Sequence, residues 1–180
     1  MKMKNKEFVS KLKNIAENYK TLYVMGCNGA ALTNINKEIY IKSDSFNQDP
    51  ERIKKIKNAT SDTYGFDCVS IIKAILWGWE GDNDHIYGGA TYLKDGILDV
   101  NADTMISQTS PTKDFSNILE GEVVWIKGHI GVYIGDGLVV ECSPKFQDKV
   151  QITALENIGK KKGYESRKWS MHGKLPYIEY

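Results

Sequence analysis

GHIGVYIGDGLVVEC, residues 128–142, reads as a β-hairpin. Two short runs of β-forming residues, HIGVYI and LVVEC, flank Gly135-Asp136-Gly137, a strong turn signal. Read as a three-residue loop with Gly137 in the left-handed conformation, the turn pairs Ile134 with Leu138. Counting outward, Gly131 then faces Glu141. Side chains alternate along a strand, so His129 shares a face with Gly131, and Glu141 lies diagonally beside it. Gly131 offers no side chain to obstruct that approach. Ile130, Val132, Leu138, Val140 and Cys142 take the opposite, apolar face. A two-residue loop would slip this order by one and turn Glu141 toward the apolar side, where an unpaired carboxylate is costly. The hydrophobic pattern therefore selects the register that joins His129 to Glu141.

Outward from the hairpin, EVVWI (122–126) precedes it and KVQIT (149–153) follows it. Turns are expected at Lys127-Gly128 and around Pro144, and the spacing suits an antiparallel meander. The tail, KWSMHGKLPYIEY, is expected to end in a last strand. The N-terminal half is helical in character. Phe8, Leu12, Ile15 and Tyr19 recur at helical spacing, which predicts an amphipathic helix over 5–19 that covers the core. TLYVMG reads as a short strand and NGAALTN as loop. Pro50 before ERIKKI predicts a helix starting there. Asp67 is a good helix cap, and the residues from Cys68 to Trp77 are apolar on nearly every side, which predicts a buried helix over 67–79. Residues 80–96 read as a long loop, and 97–120 as irregular or weakly helical. Helices first and an antiparallel sheet second predict an α+β fold. A chain of 180 residues is long enough for one domain with a real core, so a single domain over 1–180 is expected.

Composition narrows the function. With 24 basic and 23 acidic residues, the net charge of +1 gives no global reason to expect nucleic acid as a partner. No run of about 18 apolar residues predicts a membrane span. The basic start, MKMKNKEFVSKLKN, is followed by no apolar stretch of the kind that makes a secretory leader. Cys27, Cys68 and Cys142 are an odd count without CxxC spacing, which argues against a disulfide framework or a zinc ribbon.

That leaves a thiol to explain. Cys68 stands directly after the Asp67 cap. A helix N-terminus favours thiolate over thiol, and its N–H groups suit an oxyanion. Position alone does not separate this from a buried structural cysteine. A nucleophilic cysteine needs a base. Of three histidines, His85 lies in the polar loop and His172 in the tail. His129 stands at the mouth of a strand beside Gly128, with room to approach another side chain. A carboxylate that orients an imidazole, which activates a thiol, follows the logic of a catalytic triad.

At these residues a resemblance emerges. GFDCVSIIKAI followed by GHIGVYIGDGLVVECSP resembles the NlpC-type family of bacterial cell-wall cysteine peptidases, compact relatives of papain. Asp67-Cys68 match the family's Asp-Cys pair at the start of a helix. Gly128 to Gly135 match its Gly-His strand, and Glu141 stands where the family carries a polar residue, often histidine. LYVMGC places Tyr23 at the family's tyrosine near the thiol, although Met25 and Cys27 depart from the usual Trp and second Gly. The resemblance implies a papain-like α+β fold, with a central cysteine-bearing helix packed on an antiparallel sheet. It implies hydrolysis of an amide in the peptidoglycan stem peptide, for example the D-glutamyl–diamino acid bond. Cys68 would be the nucleophile, His129 the base and Glu141 the orienting group, with Tyr23 and Asp67 at the oxyanion and substrate. No metal or cofactor is implied. A monomer is expected, as in the bare catalytic domain of a phage or prophage lysin. Such an enzyme would act on the wall after release from the cytoplasm by lysis, or after export by another route.

Three alternatives stay open. One is an N-acetylmuramoyl-L-alanine amidase on the same fold. Another is a non-catalytic wall-binding module. The third is a structural metal site from Cys27, Cys68, Cys142 and His129, against which the register places Cys142 on the face away from His129. Trp77 reads as core, and Trp79 as either core or a sugar-stacking group.

Overall fold

The structure is a computed structural model, and it describes residues 2–180. In chain order the elements begin with β1 (Met3–Lys4), α1 (Asn5–Asn18), β2 (Thr21–Tyr23) and β3 (Asn28–Ala31). Next come α2 (Asn34–Ser43), α3 (Pro50–Asn58), β4 (Tyr64–Phe66), α4 (Ser70–Leu76) and α5 (Ala102–Ser107). The sheet-forming half follows with β5 (Val123–Ile126), β6 (His129–Gly135), β7 (Leu138–Ser143) and β8 (Lys149–Leu155). Three short strands finish the chain: β9 (Ser166–Arg167), β10 (Met171–Gly173) and β11 (Ile178–Glu179). The fold is α+β, as the pattern predicts. Among the described residues no helix is long and apolar enough to cross a membrane.

Two compact units can be distinguished. The first takes the residues up to Glu17, Leu98–Glu141 and Gln151–Tyr180. It carries most of a six-stranded sheet in the order β10-β5-β6-β7-β8-β9. The expected meander is present at its centre, with β5, β6 and β7 antiparallel in sequence. One side of this unit is filled by Phe115, Val124, Tyr133, Val139, Leu155 and Trp169. On α1, Phe8, Val9, Leu12 and Ile15 are buried, the stripe that helical spacing marks.

The hairpin corrects one expectation. The turn is a two-residue one, Asp136-Gly137, with Gly135 rather than Ile134 opposite Leu138. Both turn residues have positive φ, 53° and 71°, as a hairpin turn with right-handed strand twist requires. The ladder shifts between Tyr133 and Gly135, leaving Ile134 as an extra residue in β6. That bulge offsets the shorter loop. Tyr133 faces Val139, Val132 faces Val140, and Gly131 faces Glu141, the register that joins His129 to Glu141.

The second unit spans Asn18–Ile97 and Cys142–Val150. Its sheet has the order β2-β4-β3, with β2 parallel and β3 antiparallel to β4. The stretch NGAALTN, expected as loop, contains β3. Asn, Gly and Ala are poor strand formers, but here small residues are what fit. A Cβ on Gly29 would stand 2.5 Å from the Trp79 indole and 2.8 Å from Phe66. The indole also donates to the Gly29 carbonyl at 2.8 Å. Trp79 meets Tyr19, Tyr64 and Phe66 edge-on, so it is core, as is Trp77. Cys27 has a packing role too. It is buried with Val24, Ala30, Leu32, Ile41 and Ile56, and Gly65 leaves the room its sulfur occupies. Burial pushes the Cys27 thiol up to about 12.

Candidate active site

The second unit holds Tyr23, Asp67 and Cys68. Tyr23 ends β2 and pairs with Phe66, the last residue of β4, so parallel strands bring residue 23 beside the start of the Asp67-Cys68 turn. The helix that follows is shorter than expected. Regular α-helix begins at Ser70 and ends at Leu76, and Cys68 lies in the turn before it. Asp67 nonetheless caps it. Its Oδ1 accepts from the N–H groups of Val69 (3.1 Å) and Ser70 (2.8 Å). The Ser70 hydroxyl donates a hydrogen bond to the Asp67 carbonyl oxygen at 3.2 Å and accepts one from the Asp67 N–H at 2.6 Å. This is a reciprocal capping arrangement.

The second oxygen of Asp67 accepts from the Gly26 N–H at 2.9 Å. Gly26 has φ +77°, a conformation that glycine adopts without strain. The Met25-Gly26 turn is thereby tied to the cysteine's own turn. Buried Asn47 clamps the same segment, accepting from the Met25 N–H at 3.0 Å and donating to the Met25 carbonyl at 2.9 Å. Asp67→Ala would leave three backbone N–H groups without their acceptor in a buried setting. It is expected to destabilise the protein by about 2–3 kcal/mol, seen as a lower denaturant midpoint, with Asp67→Asn intermediate.

The Tyr23 ring is buried, and among the described residues its hydroxyl has only a long contact, 4.0 Å, to the Met25 sulfur. Burial first, then the charges of Cys68, Asp67 and Cys142, push this phenol above its usual range. It stays protonated and able to donate. All three cysteines are thiols, and Cys68 alone has measurable exposure, 8% against 0% for Cys27 and Cys142. The Cys142 sulfur donates to the Phe66 carbonyl at 3.2 Å.

The first unit holds His129 and Glu141, and brings them together. His129 Nε2 lies 3.1 Å from Glu141 Oε1. Gly131 makes room for the neighbouring Val139 and Trp169 side chains, since a Cβ there would meet them at 2.9 Å and 3.2 Å. Glu141 is fully buried. It accepts from Arg167 Nε at 2.9 and 3.1 Å, from Arg167 Nη2 at 2.8 Å and from the Thr153 hydroxyl at 2.7 Å. Burial alone would raise its pKa, but hydrogen bonds from His129 and Arg167 and their charges outweigh it and hold the carboxyl below its ordinary value. An ionised carboxylate only accepts, so His129 Nε2 carries a hydrogen, and in the neutral ring the lone pair is then on Nδ1. Trp169 stacks on the imidazole at 5.3 Å and 17°. Asn157 fixes the Trp169 backbone from both sides, at 2.8 and 2.9 Å. The hydrogen bond and the stack leave the ring one orientation.

Sequence reasoning missed Arg167, Thr153 and Trp169. Arg167 sits in a basic tail segment, KKKGYESRKWS, where one more cation carries no pattern. A buried carboxylate demands a cation, but only the sheet shows which one: β9 pairs with β8, Leu155 beside Arg167. Among the described residues no group of three or more His, Cys, Asp or Glu is placed to hold a metal ion.

No family model matches this chain, and no curated protein matches it. Among solved structures it is similar to NlpC2 from Trichomonas vaginalis, at 13% identity and a TM-score of 0.47, over 95% of this chain and 46% of the other. It is similar also to NlpC1 from the same organism, at 13% identity and a TM-score of 0.48, over 95% and 44%. The chain spans less than half the length of either structure.

Proposed function

We propose that this protein is a cysteine hydrolase of the cell wall that cuts an amide bond in the peptidoglycan stem peptide, with Cys68 as nucleophile and His129 as base. One observation carries the reading: His129 Nε2 is held by a buried Glu141 whose carboxyl stays below its ordinary pKa, an arrangement in which the neutral ring would offer its Nδ1 lone pair to a proton. The Asp-Cys and Gly-His motifs name the thiol that would supply it.

The chemistry follows from these groups. Nδ1 of His129 takes the proton of the Cys68 thiol. The thiolate forms a bond to the amide carbonyl carbon, and the carbonyl π electrons move to oxygen. The Tyr23 hydroxyl, kept protonated by its surroundings, donates to that oxyanion. Collapse breaks the C–N bond, and His129 Nδ1–H protonates the departing amine. Water then attacks the thioester while His129 accepts its proton, and the C–S bond breaks to release the acid and the thiol. Glu141 keeps the imidazole in the productive tautomer and stabilises the imidazolium. The bond proposed is the D-glutamyl–diamino acid amide.

Clearing of a purified peptidoglycan suspension tests this. Wild type is expected to lower the turbidity, and Cys68→Ala to leave it at the buffer rate. Mass spectrometry of the soluble fragments reads the bond. Free stem peptides cut from muramic acid would indicate amidase specificity instead. Binding to walls without clearing, or clearing by Cys68→Ala at the wild-type rate, would end the proposal.

A further inference from the structure

An ion pair buried in the second unit has no part in the chemistry above, yet both of its residues hydrogen-bond to the Tyr23 backbone. Arg52, on α3, is 7% exposed and Asp148, just before β8, is 9% exposed. Arg52 Nη1 donates to Asp148 Oδ1 at 2.6 Å, and Nη2 donates to the Tyr23 carbonyl. The Asp148 carbonyl in turn accepts from the Tyr23 N–H at 3.1 Å. Both backbone polar groups of Tyr23 thus end in one closed circuit. The guanidinium carbon lies 5.8 Å from the Tyr23 ring centre and 5.4 Å from that of Phe46, which itself stands edge-on to Tyr23 at 5.5 Å. Lys55 adds a second cation to Asp148 at 2.7 Å.

Stability is a poor reason for this arrangement. Desolvating an ion pair offsets much of its attraction, and apolar residues of similar volume do as well or better. Arg52 Nε is buried with no hydrogen-bond partner among the described residues, a further penalty. Asp148 has φ +57°, a conformation that side chains other than glycine, asparagine and aspartate rarely accept. A desolvated ion pair and a buried donor without a partner, gathered on one neighbour, are what a geometry-fixing device looks like.

We propose that Arg52, anchored by Asp148, is a positioning residue for Tyr23, holding its backbone and ring so that the hydroxyl has a single place beside the Cys68 turn. This rests on the reading of Tyr23 as the oxyanion donor. A tyrosine has two side-chain torsions. With the backbone pinned on both sides and the ring flanked by Phe46 and the guanidinium, little freedom remains to be lost when charge develops on the substrate oxygen.

The test combines kinetics and exchange. Wall clearing is measured for Arg52→Met, Asp148→Asn, Tyr23→Phe and the Arg52→Met/Tyr23→Phe double variant; asparagine tolerates the left-handed backbone at 148. Arg52→Met and Tyr23→Phe are each expected to slow clearing by roughly 10- to 100-fold, and Asp148→Asn by less. The double variant is expected to be no slower than Tyr23→Phe alone, because Arg52 acts through that hydroxyl. Multiplied losses in the double variant, or an unchanged rate in Arg52→Met, would overturn the proposal. Native-state hydrogen exchange gives a readout independent of substrate. The Tyr23 amide is expected to exchange at least ~10-fold faster in Arg52→Met, while the amides of β6 hold their wild-type rates. An unchanged Tyr23 amide overturns the brace. A wild-type protein that fails to clear walls instead overturns the catalytic reading, and the exchange data then decide the brace alone.

Discussion

Alanine at position 129 is expected to slow wall hydrolysis by roughly 10³-fold while leaving the protein folded. The size follows from the two jobs proposed for the ring, taking the thiol proton and returning one to the leaving amine. Folding is spared because Glu141 keeps Arg167 and Thr153 as partners when the imidazole is gone. Iodoacetamide labelling reads the same step without any substrate. In wild type at neutral pH, Cys68 is expected to react selectively. Cys142 is fully buried, and so is Cys27, whose thiol burial has pushed up to about 12. In His129→Ala the Cys68 rate is expected to fall at least ~10-fold with an unchanged melting profile. Equal labelling and equal clearing in the two proteins would remove His129 from the mechanism.

Glu141→Ala is expected to be the most destabilising single change at this site, by about 3–5 kcal/mol. The carboxylate is completely buried, and its removal takes from the Arg167 guanidinium, itself only 11% exposed, the carboxylate it donates to at 2.8 Å. Glu141→Gln keeps the shape and one acceptor oxygen, so a smaller loss is expected. The pH dependence has a defined sign. The folded-state pKa of Glu141 lies below the group's ordinary value of 4.5. Its stabilising contribution is therefore complete above the unfolded-state value and is lost as pH falls through the lower, folded-state one. Denaturant unfolding of wild type and Glu141→Gln should give a stability gap that is constant near neutrality and narrows on acidification below about 4.5. A gap that widens in acid would mean that the carboxyl is not the charged partner of Arg167.

How far the sequence reaches is clearest in β6 and β7. Alternation of side chains, together with the penalty for burying a lone carboxylate, was enough to place Glu141 beside His129. The turn has two residues where the pattern predicts three, and a bulge at Ile134 gives the same register downstream. Burial constrains which residues face inward, and two loop geometries satisfy that constraint equally. The Asp67 cap was legible because a capping carboxylate acts within three residues of its own position. The length of the helix after it was not, since Trp77 and Gly78 leave the helix for a packing reason. Trp77 donates to the Ile97 carbonyl at 2.9 Å, twenty residues away in the chain.

What the sequence determined by itself is thus the short-range part: the α+β class, the strand faces, the cap, and the pairing of a histidine with a glutamate across one hairpin. These depend on the periods of helix and strand and on contacts a few residues apart, which local patterns encode. The tertiary structure alone decided the rest. It chose β3 from residues of poor strand propensity, because only small side chains fit against Trp79 and Phe66. It chose Arg167 as the cation for Glu141, and Arg52 with Asp148 as the clamp on Tyr23. Each joins residues far apart in the chain through a single charge or a single void, and a surface lysine run or a loop aspartate looks the same in sequence whether or not it finds such a partner.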